Sequence, residues 1–354
     1  MTCAMKGSIS MKTFTLPDNR FTTLGRHDPQ EKKVCLWWSG SGVRTVLGCT
    51  MLQADITWEG SVHSPWIGVT ADGAPVCRFP LIPGTHCYTL LAGMDGDSVH
   101  EISVIRDTQP VEGSDAGPVV IEAIRTDGDP ALPPERPYLI EFLGDSLTVG
   151  EGCLGPQSAS EWRMAWISVL GAFPSLVSEK LNADMRIVAL GGWGVSRSWD
   201  DNLENRIGRI YGRLCSPIPG GARPADFPER KADAVVINLG TNDGSPILRM
   251  GGEARAEAED LLCKRAAELM NAVRARNPEA VILWAYGLCG NPLEPLLRRA
   301  VDSFTAGGGK NAAYLPLTPS SVPGSRFHPG RDAHRTAAAE IAEKLREMGL
   351  TLPS

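Results

Sequence analysis

No apolar run in the 354 residues approaches the ~18–20 that a membrane span needs. Basic charge is not in excess either. The formal net charge of -6 excludes broad electrostatic attraction to nucleic acid or to an anionic membrane. The N-terminal segment MTCAMKGSISMKTFTLPDNR lacks the apolar core of a secretory signal. Nine cysteines are present (Cys3, Cys35, Cys49, Cys77, Cys87, Cys153, Cys215, Cys263 and Cys289), yet no two form a CxxC and metal-ligand spacings are missing. Buried free thiols in a reducing compartment account for them, so a cytoplasmic location is expected. Hydrophobic residues make up 42% and charged residues 21%, the balance of a cored, soluble chain. Such a length is about twice one domain of ~100–200 residues, so two domains are expected.

The two halves differ in texture. From about residue 30 to 128 short strand-like runs alternate with turns: VCLWW (34–38), VRTVLG (43–48), MLQADITW (51–58), WIGVTA (66–71), HCYTLLAG (86–93), VHEISVIR (99–106) and VVIEAIR (119–125). Asp72-Gly73, Pro83-Gly84 and Asp95-Gly96 punctuate them. No helix of normal length is evident, which predicts a β-sandwich or jelly roll over 1–130. PALPPERP (130–137) carries four prolines in eight positions and fits neither a helix interior nor a central strand. Residues 131–137 therefore read as a semi-rigid linker.

After it the period changes. YLIEFLG (138–144), MRIVALG (185–191), AVVINLG (234–240), AVILWAYG (280–287) and AAYLPL (312–317) are continuous apolar runs, the pattern of strands buried on both faces. Between and after them lie amphipathic stripes, Leu262, Ala266, Leu269, Met270 and Val273, then Ala337, Ile341, Leu345 and Met348. Strand–helix alternation predicts a doubly wound, flavodoxin-like parallel sheet of five strands over 138–354. Ligands bind such sheets at the carboxyl ends of the strands.

Gly144-Asp145-Ser146-Leu147-Thr148 follows the first of these strands, Gly191-Gly192-Trp193-Gly194 the second and Gly240-Thr241-Asn242-Asp243 the third. Phe327-His328-Pro329 precedes the last helix. A serine, glycines, an asparagine and a histidine thus converge on one rim, the residue types acyl transfer needs. These four segments resemble the blocks of the SGNH, or GDSL-type, hydrolase superfamily in order and spacing. The preceding β-rich half, with GRHD (25–28), VHEISVIR (99–106) and GDSLTVGEG (144–152), resembles carbohydrate esterase family two, whose members pair a jelly roll with the hydrolase.

The resemblance implies Ser146 as nucleophile and His328 as general base. It implies an oxyanion hole from the Ser146 N–H, a glycine N–H and the Asn242 amide. Gly194 is favoured as that glycine, with Gly192 as the alternative. A helix after Ser146 would add its dipole. Asp145 and Trp193 are expected to contact substrate, and Trp193 and Trp199 either stack on a sugar face or pack in the core. The catalytic core is expected to be metal-free, without cofactor. One departure stands out: three residues before His328, where the superfamily carries an aspartate, this chain has Ser325, with Arg326 next. A backbone carbonyl is the first choice to orient the imidazole, and Asp332 the second, although Asp332 also reads as a cap of the final helix. Glu151 reads as a polar helix position and His334 as structural.

The implied activity is a serine esterase that removes acetyl groups from a carbohydrate, its partner a small-molecule or oligosaccharide ester. Two rivals share these residues: a short-chain esterase, thioesterase or lysophospholipase on a non-sugar substrate, and a decayed hydrolase that only binds glycans.

Overall fold

The structure is a computed structural model and describes residues 10–351. Ten strands come first: β1 (Lys12–Thr15), β2 (Thr22–Leu24), β3 (Val34–Leu36), β4 (Gly42–Leu47), β5 (Met51–Trp58), β6 (Trp66–Ala71), β7 (Ala74–Pro80), β8 (Gly84–Ala92), β9 (His100–Arg106) and β10 (Val119–Thr126). They form two antiparallel sheets, β1-β10-β5-β8 with β3 also on β10, and β2-β4-β9-β6-β7. Period-two alternation drives the pairing. In β5, Leu52, Ala54, Ile56 and Trp58 are buried while Met51, Gln53, Asp55 and Thr57 are partly exposed. They join Ile67, Val69, Ile102, Val104, Ile121 and Ile124 from both sheets in one core, so the half is a β-sandwich. Strands β1, β2 and β7 escape the sequence pattern because they are short, polar or proline-flanked.

The second half runs β11 (Tyr138–Gly144), α1 (Phe173–Lys180), β12 (Ala183–Ala189), α2 (Ile207–Ile210), β13 (Ala234–Asn238), α3 (Thr241–Ile247), α4 (Gly252–Arg276), β14 (Val281–Tyr286), α5 (Glu294–Ala306), β15 (Ala312–Pro316) and α6 (Arg331–Glu347). The sheet is parallel throughout, in the order β12-β11-β13-β14-β15. Successive residues feed opposite faces. Leu143, Ile237 and Trp284 pack with Leu262, Leu269 and Leu297 of α4 and α5. Phe142, Val236 and Leu283 pack with Val177, Ile341 and Leu345 of α1 and α6. Among the described residues no helix is long and apolar enough to cross a membrane.

A charged seam joins the halves. Glu141 of β11, fully buried, accepts from Arg26 Nη2 at 2.9 Å, Arg186 Nε at 2.7 Å and Tyr211 Oη at 2.7 Å. Burial pushes this carboxyl up, but Arg186 and Arg26 more than offset that and bring it down to about 2. Nearby, Asp107 after β9 accepts from Arg78 Nε at 2.5 Å, Ser168 Oγ at 3.0 Å and Leu170 N–H at 3.0 Å. Trp37 and Trp38 close the strand-like run VCLWW (34–38). Yet β3 stops at Leu36, and both rings are buried in the core cluster of the α/β half. The proline-rich segment is strapped down: Ala131 and Val46 exchange backbone hydrogen bonds of 2.9 and 3.0 Å.

The eight described cysteines are free thiols, and Cys3 lies outside the described residues. Burial holds for Cys49, Cys153 and Cys215, whereas Cys87 and Cys289 are exposed.

Candidate active site

The strand order reverses at β11, so the carboxyl ends of β11, β12 and β13 open into one crevice. Ser146 sits on the turn after β11. No helix follows it: residues 145–152 form turns that end in Gly150 and Gly152, both with positive φ. The expected helix dipole at the nucleophile is therefore absent. Ser146 Oγ lies 3.0 Å from His328 Nε2, and His328 Nδ1 lies 3.0 Å from the carbonyl oxygen of Arg326. With the neutral imidazole donating from Nδ1 to that carbonyl, Nε2 is left as the acceptor for the serine proton. The position three residues upstream needs no carboxylate for this. Asp332, the other candidate, is exposed and pairs with Arg335 at 2.7 Å in the first turn of α6. The residue at the N-cap is Gly330.

The oxyanion side corrects two expectations. Gly194 donates its N–H to Asn205 O at 3.4 Å, and a Cβ there would collide with Arg197 O and Asp243 Oδ2, so it is packed away from the cleft. Gly192 borders the cleft instead. Its φ of +83° suits glycine, and among the described residues no acceptor meets its N–H or that of Ser146. Asp145 does not face substrate: it is fully buried, accepting from Leu147 N–H at 3.0 Å and from Asn242 Nδ2 at 3.2 Å. Burial, with Asp243 and Glu151 as like charges nearby, pushes Asp145 up to about 7 against the Leu147 hydrogen bond. Trp193 packs in the core cluster and also lines the cleft, its carbonyl accepting from Asn242 Nδ2 at 2.9 Å. Trp199, 60% exposed, stands on the cleft wall, and Trp162 lines the same cleft.

Three further residues shape the site in ways their local sequence does not signal. Asp243, buried, accepts from the N–H groups of Val195, Ser196 and Arg197 at 2.8, 2.7 and 3.1 Å, and so shapes the loop after β12. Gln109, from the sandwich, accepts from Gly191 N–H at 2.8 Å through Oε1. Glu151, buried, pairs with Arg326. His334 is structural as expected: its Nδ1 accepts from Phe173 N–H at 3.4 Å. Burial, assisted by His328, pulls it down to about 4.

The GDSL-like lipase/acylhydrolase family model matches residues 142–351. The chain belongs to that family. This GDSL-like acylhydrolase is a carboxylic ester hydrolase. It is 22% identical over 346 residues to an acetylxylan esterase/glucomannan deacetylase of Cellvibrio japonicus, covering 96% of this chain and 92% of that one. Among solved structures, an acetyl xylan esterase from the rumen bacterium Butyrivibrio proteoclasticus superposes with TM-score 0.90 at 23% identity, covering 96% of this chain and 99% of the other. A family two carbohydrate esterase from Clostridium thermocellum, solved with cellohexaose, superposes with TM-score 0.81 at 21% identity, covering 94% and 100%. These likenesses span both halves, so the acylhydrolase shares its complete two-part fold with family two carbohydrate esterases.

Proposed function

We propose that this acylhydrolase deacetylates a carbohydrate through a Ser146–His328 dyad. The observation that carries the reading is the relay of two 3.0 Å hydrogen bonds, Ser146 Oγ to His328 Nε2 and His328 Nδ1 to Arg326 O. Ser146 Oγ attacks the ester carbonyl carbon while its proton passes to Nε2. The N–H groups of Ser146 and Gly192 and the Asn242 amide stabilise the tetrahedral oxyanion. Both amide hydrogens of Asn242 already have acceptors, Asp145 Oδ2 and Trp193 O, so one bond is shared or released as the oxyanion forms. The intermediate collapses, the alcohol leaves with the proton from Nε2, and water activated by His328 then cleaves the acyl-enzyme to free acetate.

Similarity to an acetylxylan esterase supports acetyl as the acyl group and a plant-type glycan as carrier. The exposed Trp199 supports stacking on a sugar face. The sandwich is an accessory domain of jelly-roll type, ending near residue 130, that holds the cleft open from one side. The free thiols fit work in a reducing compartment, on an imported oligosaccharide or a free acetylated sugar.

Ser146→Ala tests the reading. Hydrolysis of p-nitrophenyl acetate and acetate release from acetylated xylo-oligosaccharides should both fall by at least ~10³-fold. Retained turnover would sink the nucleophile assignment. Turnover that grows with acyl chain length would favour the non-sugar esterase instead.

A further inference from the structure

Arg326 and Phe327, directly before His328, both sit in the left-handed region, with φ of +53° and +60°. Side chains with a Cβ occupy that region at a cost in stability, so two in succession need an external hold. Phe327 supplies none, being 88% exposed. The side-chain hold is an ion pair from Arg326 to Glu151. Glu151 stands on the nucleophile's own turn, its N–H donating to Ser146 O at 2.9 Å. One ion pair thus ties the serine's turn to the histidine's loop across 175 residues of chain. The same carboxylate oxygen lies 3.9 Å from His328 Nε2.

We propose that Glu151 is a positioning residue for His328: it clamps Arg326, whose carbonyl aims the imidazole, and sets a negative charge beside the nitrogen that receives the serine proton. The arrangement differs from an Asp-His-Ser triad, where the carboxylate bonds Nδ1. Here the carbonyl of Arg326 takes Nδ1 and the carboxylate sits on the opposite nitrogen. Glu151 also cancels the guanidinium, which would otherwise disfavour the imidazolium formed on attack. The charged and titratable groups that face His328 are Glu151, Arg326 and His334, with Glu112 of the sandwich on the same cleft wall.

The inference rests on the dyad mechanism, and two variants of the full chain test it. Glu151→Gln should lower kcat on p-nitrophenyl acetate by about 10–10²-fold, within the range of acid–base positioning effects, with KM changed less than about threefold. Arg326→Met should also lower kcat, because the residue loses its side-chain anchor and is held by its N–H to Ala159 O at 2.8 Å alone. The pH profiles of kcat/KM separate this role from a merely structural one. Glu151→Gln leaves Arg326 uncancelled and moves the acid limb to lower pH. Arg326→Met leaves Glu151 uncancelled and moves it to higher pH. If Glu151→Gln fails to fold, Arg326→Met carries the test alone through its upward shift. Opposite shifts support the proposal. A Glu151→Gln kcat within twofold of wild type, acid limbs that move together, or an Arg326→Met limb that stays put overturns it. Such a result leaves the dyad standing so long as Ser146→Ala is inactive; an active Ser146→Ala enzyme would remove the dyad itself.

Discussion

Two buried carboxylates four residues apart meet opposite fates. Glu141 lies in β11 at the seam between the halves, and Asp145 lies just past its end, behind the cleft. Both are fully buried. Glu141 faces two guanidiniums and is held near 2, whereas Asp145 faces an amide and a backbone N–H, with carboxylates nearby, and rises to about 7. Burial opposes ionisation in both, so the partners decide the outcome. The seam is charge-compensated and built to stay closed. At the rim, Asp145 and Asp243 meet no cationic partner among the described residues and instead orient neutral donors around the cleft.

Breaking the seam should have the largest effect. Glu141→Gln leaves Arg26 and Arg186 buried without their shared counter-charge, and removing one partner of such a network costs about 3–5 kcal/mol. Denaturant unfolding at pH 7 would read this as a lower midpoint, with kcat per folded molecule unchanged. The pH dependence has a definite sign. A lowered carboxyl stabilises the fold above its unfolded value of about 4.3, and that contribution is lost as pH falls through about 2. A cost below ~1 kcal/mol would show that the seam is not held by charge.

The rim should answer in the other currency. Asp145→Asn removes a carboxyl that is charged only at a cost above about pH 7, so stability at pH 8 should hold or rise. In the wild type, the raised group stabilises fully below about pH 4 and that contribution is lost as pH rises through about 7. Asp145→Asn should flatten this slope. Its kcat should fall by about 10²-fold, as for loss of one oxyanion donor, because Asn242 loses its aim. Unfolding curves at pH 5 and pH 8, beside kcat, check both limbs. A large stability loss with unchanged kcat would erase the contrast with Glu141.

Much of this was legible in the residues. The parallel sheet announced itself as five continuous apolar runs, and Ser146, Asn242 and His328 as short motifs at strand ends, because both signals are local. What escaped was set by distant contacts. Gly192 and Gly194 are alike in sequence, and only the acceptor on Asn205 shows which N–H is occupied. Trp193 and Trp199 differ in burial because the chain turns after Gly192, not because of any periodicity. Glu151 finds Arg326 across the fold, and a one-dimensional pattern reads it as a polar helix position on a segment that forms no helix.

The smallest effect probes whether the sandwich reaches past the seam into the chemistry. Gln109 Oε1 accepts the Gly191 N–H at 2.8 Å, next to the glycine whose own N–H borders the cleft. Gly191 is only partly buried, so water can replace a lost acceptor, and a net hydrogen bond of about 0.5–1.5 kcal/mol bounds the loss. Gln109→Ala should therefore lower kcat on p-nitrophenyl acetate by about 3–10-fold, with KM within twofold and no change in unfolding midpoint beyond that bound. An unchanged kcat would confine the sandwich to the seam. A fall of the expected size would mean that the sandwich half sets the register of the loop after β12 through Gln109.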